Sequence, residues 1–338
     1  MVGVAVVGYG YWGPNLVRNF AQTEGAAMRV CCDSDTRRLA LAQKRFSGLN
    51  CTTDFDETLR NPEIDAVAIA TPVYTHYELA KRAIKAGKHV LVEKPLTTRV
   101  DHAEELVMLA EKQGVALMVD HVFVYSPPVL KMKELVEKLG KLFFIDSVRI
   151  NLGLFQHDVN VVWDLAPHDL SIVDFLLDRL PVSLSAYGGV HANHEIEDVA
   201  YLNLDYGDGL IANFHVNWLS PVKVRRMIIG GSERSLIYND LDVDEKIKVY
   251  DRGIDVDGDP EQRRDMLISY RSGDIWSPNL TTSEPLSRMT EHFVDCVKTG
   301  RQPISDGKVG LRVVKILAAA QRSIKSASGR VRIDHESQ

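Results

Sequence analysis

The chain has 338 residues, with Lys and Arg totalling 40 against 46 Asp and Glu, a formal net charge of −6, 45% hydrophobic and 25% charged residues. That length predicts two packed units, and the composition excludes global disorder. The mild acidity excludes a sequence-independent grip on nucleic acid, which needs a concentrated basic surface.

The first ten residues, MVGVAVVGYG, lack a basic n-region and reach a glycine at Gly8, so they predict a strand and not a signal peptide. Apolar runs at 2–8, 28–32, 66–70, 89–92 and 115–120 are short and nearly free of charge, as parallel strands covered on both faces require. Helical patterns fill 13–22, 36–46, 76–86 and 100–112, and Thr98 with Asp101 predicts a capping box for the last. Such alternation implies a doubly wound α/β domain over 1–121, a Rossmann sheet.

Beyond residue 121 the rhythm changes, and 122–338 are assigned to a second, α+β domain. Helices at 128–139 and 163–177 flank a strand at 142–152. Strands follow at 181–190, 199–206, 210–218, 225–229, 235–238 and 246–250, predicting a large, mostly antiparallel open sheet. The turn Gly207-Asp208-Gly209 joins two of them as a hairpin. Residues 253–264, rich in Asp and Gly, predict a surface loop, and helices return at 287–299 and 309–326. Along 210–218, Ala212, Phe214, Val216 and Trp218 alternate with Ile211, Asn213, His215 and Asn217. That apolar face predicts a homodimer or homotetramer built on the sheet.

Cys31, Cys32, Cys51 and Cys296 have neither CxxC nor zinc-finger spacing, so free thiols in a reducing compartment and no metal site are expected. No apolar stretch approaches the ~18 residues of a membrane span, and a cytoplasmic protein is expected.

Gly8-Tyr9-Gly10-Tyr11-Trp12-Gly13 matches G-x-G-x-x-G between the first strand and first helix, where backbone amides approach a pyrophosphate. Asp33 follows Gly13 by twenty residues, at the end of the second strand, the place of a ribose-binding carboxylate. It would repel a 2′-phosphate, so NAD is expected over NADP. Two alternatives stand beside this reading: Asp33 caps the following helix, or Arg37 or Arg38 turns to meet a phosphate.

Glu93-Lys94-Pro95 follows the strand at 89–92, at the carboxyl edge where open α/β sheets place ligands. Asp164 and His168, four apart in a helical stretch, share one face. They make either a structural pair or a carboxylate orienting an imidazole for proton transfer.

With these motifs on one chain, the sequence resembles the glucose–fructose oxidoreductase/inositol dehydrogenase (Gfo/Idh/MocA) family over nearly its whole length. The resemblance is carried by the GxGxxG start, Ala70-Thr71-Pro72 with His76, Ala86-Gly87-Lys88-His89-Val90, Glu93-Lys94-Pro95, Asp164 with His168, and Gly310-Leu311-Arg312-Val313-Val314. It implies NAD(P)-dependent oxidation of a sugar or cyclitol hydroxyl, with catalytic roles for Lys94, Asp164 and His168. It also places Thr71, Pro72, His76 and Glu93 near the cofactor, joining Gly8, Gly10, Tyr11, Trp12, Gly13, Asp33, Ser34, Arg38 and Lys94. The segment Asn160-Val161-Val162-Trp163 departs from the small residues many members carry before Asp-x-x-x-His. The Tyr11-Trp12-Gly13-Pro14-Asn15-Leu16 turn and the stretch from Trp163 to Ser171 together are similar to a subgroup of dehydrogenases of nucleotide-linked amino sugars acting at the 3-hydroxyl.

The expected reaction moves hydride from a carbinol carbon to C4 of the nicotinamide. It needs a base and a group that stabilises alkoxide character. His168, oriented by Asp164, is the candidate base and Lys94 the oxygen donor, with the exchange of their roles left open. His121, Tyr125, His157 and Asn160 are candidate contacts for a small sugar substrate. An inositol or free-sugar dehydrogenase, a ketoreductase, and a non-catalytic NAD(H) sensor are the competing readings. A sensor would need the glycines and Asp33 but not Lys94, Asp164 and His168.

Overall fold

The structure, a computed structural model, describes residues 1–153, 159–192, 195–251 and 273–334. Two compact units divide the chain: Met1–Ser126 with Ser283–Ala318, and Pro127–Thr282 with Ala319–Gln338.

The first unit is built on six parallel strands. In chain order it runs β1 (Val2–Val7), α1 (Gly13–Gln22), β2 (Ala26–Cys32), α2 (Thr36–Arg45), β3 (Asn50–Thr52), α3 (Phe55–Arg60), β4 (Ala66–Ile69), α4 (His76–Lys85), β5 (His89–Glu93), α5 (Val100–Gln113) and β6 (Leu117–Asp120). The sheet order is β3-β2-β1-β4-β5-β6, so the winding reverses between β1 and β4 and opens a crevice at their carboxyl ends. Every residue of β1, β4 and β6 is buried, which explains why their sequences read as unbroken apolar runs. The short β3 and α3 carry no such run, and α3 is instead started by Asp54, whose carboxylate accepts from the backbone of Asp56 and Glu57.

Two sequence expectations are corrected here. Thr98 does not cap α5: Arg99 is the N-cap, no side chain caps it, and Asp101 pairs with the Arg99 guanidinium. The expected second domain also does not stand as one compact unit, because Ser283–Ala318 return to the first. The return is held by packing and hydrogen bonds. In α8 (Pro285–Thr299), Phe293 packs edge-on against Phe20 of α1 at 6.2 Å, and Thr290 bonds Thr23. Ser305 donates to the Val119 carbonyl of β6. In α9 (Gly307–Lys325), a Cβ on Gly310 would stand 2.6 Å from Val119 Cγ2, so only glycine lets this helix lie so close to β6.

The second unit contains α6 (Pro127–Val136), β7 (Leu142–Leu152), α7 (Val161–Leu177), β8 (Ser183–Gly189), β9 (Val199–Asp205), β10 (Ile211–Asn217), β11 (Leu219–Gly231), β12 (Ser235–Asn239), β13 (Ile247–Tyr250), β14 (Ile275–Trp276) and β15 (Val331–Arg332). Its nine-stranded sheet has the order β14-β13-β12-β11-β7-β10-β9-β8-β15, antiparallel except for the parallel pair β7 and β10. Gly207 and Gly209, both at positive φ, turn β9 into β10. The predicted loop at 253–264 lies outside the described residues.

One sheet face packs under α7, which lies on β7, β9 and β10. That face is where Ala212, Phe214, Val216 and Trp218 point, each at most 2% exposed. The apolar row taken from the sequence as an assembly surface is therefore the unit's own core. The alternate residues of β7 to β10 include Phe144, Tyr187, Tyr201 and Ile211, all exposed.

Candidate functional site

The dinucleotide edge of the first unit is assembled from strand ends. Gly8 stands at φ +95°, and a Cβ there would meet the Ala70 carbonyl oxygen at 2.7 Å. A Cβ on Gly13 would meet the Gly8 oxygen at 2.0 Å, so both glycines are needed for the turn itself. Gly10 differs: its nearest neighbour would be Arg38 Nη1 at 3.5 Å, leaving room on its outer side for a ligand to approach the backbone. No side chain caps α1, and Pro14 opens it, as suits a helix whose N-terminus receives a pyrophosphate.

Asp33, at the end of β2, is 6% exposed. Its Oδ2 accepts from the Tyr9 backbone at 2.6 Å and its Oδ1 from that of Asp35 at 2.8 Å. Asp33 therefore braces the glycine turn through Tyr9 and its own loop through Asp35, using two of its roughly four lone-pair sites and leaving the others for ribose hydroxyls. It is not the cap of α2, a role taken by Asp35. Arg38 Nη1 lies 3.8 Å from Asp33 Oδ2, while Ser34 and Tyr11 are exposed. These residues fit a dinucleotide: the steric room is at Gly10, and the Asp33 carboxylate, just past β2, is bonded to the neighbouring Tyr9.

The loop after β4 holds Thr71, whose hydroxyl bonds that of Thr75 at 2.6 Å, and an exposed Pro72. His76, 1% exposed, joins two loops: one ring nitrogen lies 2.9 Å from the Thr71 carbonyl and the other 3.0 Å from that of Pro95. Glu93 ends β5 and Lys94 follows it, at the same carboxyl edge, and Lys94–Pro95 is a cis peptide. The Trp12 indole N–H donates to Asp120 Oδ2 at 3.0 Å, tying the glycine turn to the end of β6. Asp120 was not singled out from the sequence, where an acid ending an apolar run was its only signal.

In the second unit, Asn160 starts α7 by accepting from the Trp163 backbone. Within 161–168 only Asp164, Leu165 and His168 keep solvent contact, so the expected pair occupies the open side of one helical turn. Asp164 Oδ2 accepts from the indole of Trp218, which is 1% exposed and ends the strip after β10. A buried tryptophan must find an acceptor for its N–H, and this one orients the carboxylate. One residue beyond His168, Asp169 makes a bidentate ion pair with Arg149 of β7 at 2.9 and 2.7 Å, both side chains buried. This pair anchors the helix that presents His168.

The candidate substrate contacts fare differently. Asn160 is corrected to a structural residue: besides capping α7, its amide donates to Glu197 and Gln321, which uses both its N–H groups. Tyr125 is likewise corrected, since it is 3% exposed with its hydroxyl on Ser305 and Met118. Among the described residues His121, at 1% exposure, has no hydrogen-bond partner on either ring nitrogen, and burial with the nearby Lys94 charge lowers its pKa to about 3. His157 lies outside the described residues. Among the described residues no cluster of three or more His, Cys, Asp or Glu is placed to hold a metal, and no helix is long and apolar enough to cross a membrane.

Comparison with known proteins places this geometry. Residues 2–121 match the model of the Gfo/Idh/MocA oxidoreductase family with an NAD-binding Rossmann fold, and residues 129–237 match that family's C-terminal domain. The chain is 29% identical over 263 residues to the UDP-N-acetylglucosamine 3-dehydrogenase of Acidithiobacillus ferrooxidans, covering 76% of this chain and 77% of that one. It is 25% identical to the NAD(+) scyllo-inositol 2-dehydrogenase of Bacillus subtilis, covering 90% and 88%. A solved oxidoreductase structure from Magnetospirillum magnetotacticum superposes with a TM-score of 0.81 at 29% identity, covering 94% and 99%. The chain belongs to the Gfo/Idh/MocA family and is an NAD(P)-dependent oxidoreductase acting on CH–OH groups.

Proposed function

We propose that the protein oxidises a secondary hydroxyl, at the 3-position, of a nucleotide-linked sugar, with NAD in preference to NADP. The observation that carries the reading is the open turn of α7, where a carboxylate pinned by the Trp218 indole sits four residues from an imidazole. The similarity to a UDP-N-acetylglucosamine 3-dehydrogenase supports the substrate class. The buried Asp33 supports the cofactor, because a 2′-phosphate at that strand end would meet a like charge.

NAD, when bound, supplies the hydride acceptor, and the glycine turn with Asp33 would hold it. The chain's own groups manage the proton. His168 takes it from the alcohol, Asp164 sets the imidazole's orientation, and Lys94 donates to the reacting oxygen as negative charge develops. The four thiols are free, which suits a reducing, cytoplasmic setting. The exposed aromatic and aliphatic groups of the sheet, Phe144, Tyr187, Tyr201 and Ile211, suit a homodimer or homotetramer.

A second reading, an inositol or free-sugar dehydrogenase, is favoured by the greater span of the match to the scyllo-inositol enzyme. Initial rates of NADH formation with UDP-N-acetylglucosamine, scyllo-inositol and free hexoses separate the two, with NADP run in parallel. The nucleotide sugar is expected to give the highest kcat/KM, with NAD. A higher value for inositol would transfer the assignment to the second reading, and a preference for NADP would remove the role given to Asp33.

A further inference from the structure

Glu93 and Asp120 end adjacent parallel strands and are Cα partners in the register of β5 and β6. Glu93 Oε2 accepts from the Lys94 backbone at 3.2 Å, and Asp120 Oδ2 from the Trp12 indole at 3.0 Å. The two remaining oxygens, Glu93 Oε1 and Asp120 Oδ1, are buried and have no donor among the described residues. As register partners on adjacent parallel strands, the two residues project their carboxyl groups from the same side of the sheet edge. Ionised carboxylates offer only lone pairs, so a proton between these oxygens is what satisfies both. Asp120 receives the stronger donor, the Trp12 indole N–H, against the longer backbone contact on Glu93, so it is the ionised partner. The proton then sits on Glu93 Oε1 and is donated to Asp120 Oδ1. Burial raises the pKa of both groups, and the Asp120 charge raises that of Glu93 further.

We infer that Glu93 and Asp120 are positioning residues that share one proton and leave one buried negative charge beside Lys94, with Trp12 linking that charge to the glycine turn. The inference rests on reading Lys94 as the oxygen donor. In the first unit, the titratable groups around Lys94 are Glu93 on its own strand and Asp120 and His121 at the end of β6. His76 of α4 is engaged with the Thr71 and Pro95 carbonyls, and the glycine turn contributes the uncharged Trp12. The neutral His121 supplies no charge of its own. The carboxyl pair therefore places negative charge beside the lysine.

Infrared difference spectroscopy and lysine acylation test this without any sugar. Near neutral pH the wild type should show a protonated-carboxyl stretch that is absent from both Glu93→Gln and Asp120→Asn. In the first variant the amide replaces the acid. In the second, the new amide N–H bonds Glu93 and lets it ionise. A wild type lacking the stretch would overturn the shared proton. So would a stretch that survives Asp120→Asn, since Glu93 would then be a lone buried acid. Each single variant keeps one negative charge and the double variant has none. Acylation of Lys94 by acetic anhydride, followed by mass spectrometry at mildly alkaline pH, should be at least about threefold faster in the double variant than in either single one. Equal rates would break the link to Lys94. If the double variant does not fold, Asp120→Leu replaces it, because a lone buried Glu93 also carries no charge. A protein inactive on every sugar would overturn the proposed function and leave both readouts decisive for the pair.

Discussion

Gly10 and Gly13 lie three residues apart and are glycine for different reasons. Gly13 is enforced by the fold, since its Cβ would stand 2.0 Å from the Gly8 oxygen, whereas a Cβ on Gly10 would make only an ordinary contact with Arg38 Nη1 at 3.5 Å. Gly13→Ala should therefore lower the melting temperature, whereas Gly10→Ala should melt within about 2 °C of wild type. The same Gly10→Ala should weaken NAD binding at least about tenfold by calorimetry, because its methyl occupies the approach to the backbone. For the reacting groups, general acid–base catalysis contributes ~10²–10⁴ in rate. Lys94→Ala and His168→Ala should each lower kcat by about that factor, with NAD affinity within about threefold. Turnover near wild type in both would remove their assigned roles. The positions of the glycines, Asp33, Lys94, Asp164 and His168 at strand ends or along one helix were legible in the sequence, because each stands at a fixed offset. Asp120 and Trp218 were not, because their meaning is a partner 108 residues away in one case and 54 in the other.

At the level of elements, α7 shows how a helix is made to present chemistry. Its first two turns bury every residue except Asp164, Leu165 and His168, and the Arg149–Asp169 pair holds it to β7. Breaking a buried ion pair by removing one partner costs about 3–5 kcal/mol, because the other charge is left uncompensated. Asp169→Ala should lose that much stability in denaturant unfolding, with kcat falling as the helix loosens. A loss under about 1 kcal/mol would mean that Arg149 finds water or another partner. Asn160 is instructive at this scale. Its place just before a helical pattern was already the signature of an N-cap, and the cap, not substrate binding, is what its amide does. The capping box expected of Thr98 and Asp101 failed for the converse reason: Asp101 is taken by the adjacent guanidinium.

For the whole molecule, alternation along β10 identified a two-faced strand and left open which face meets the core. The apolar row went under α7, which leaves Tyr187, Tyr201, Ile211 and Phe144 on the exposed side of the sheet as the face an assembly built on it would use. Tyr201→Lys with Ile211→Lys should reduce the mass seen by light scattering to that of a monomer. A mass unchanged from wild type would exclude this face. The two units themselves were visible as a change of rhythm near residue 121, but the return of Ser283–Ala318 to the first was not. A helix pattern records that one side is buried without recording against what. Period, turn chemistry and motif spacing are local, so the sequence by itself determined the Rossmann sheet, the dinucleotide turn, the open antiparallel sheet and the family. Pairings between distant residues depend on how the chain closes on itself. Only the tertiary structure could decide that α8 joins α1, that Trp218 orients Asp164, and that Glu93 meets Asp120.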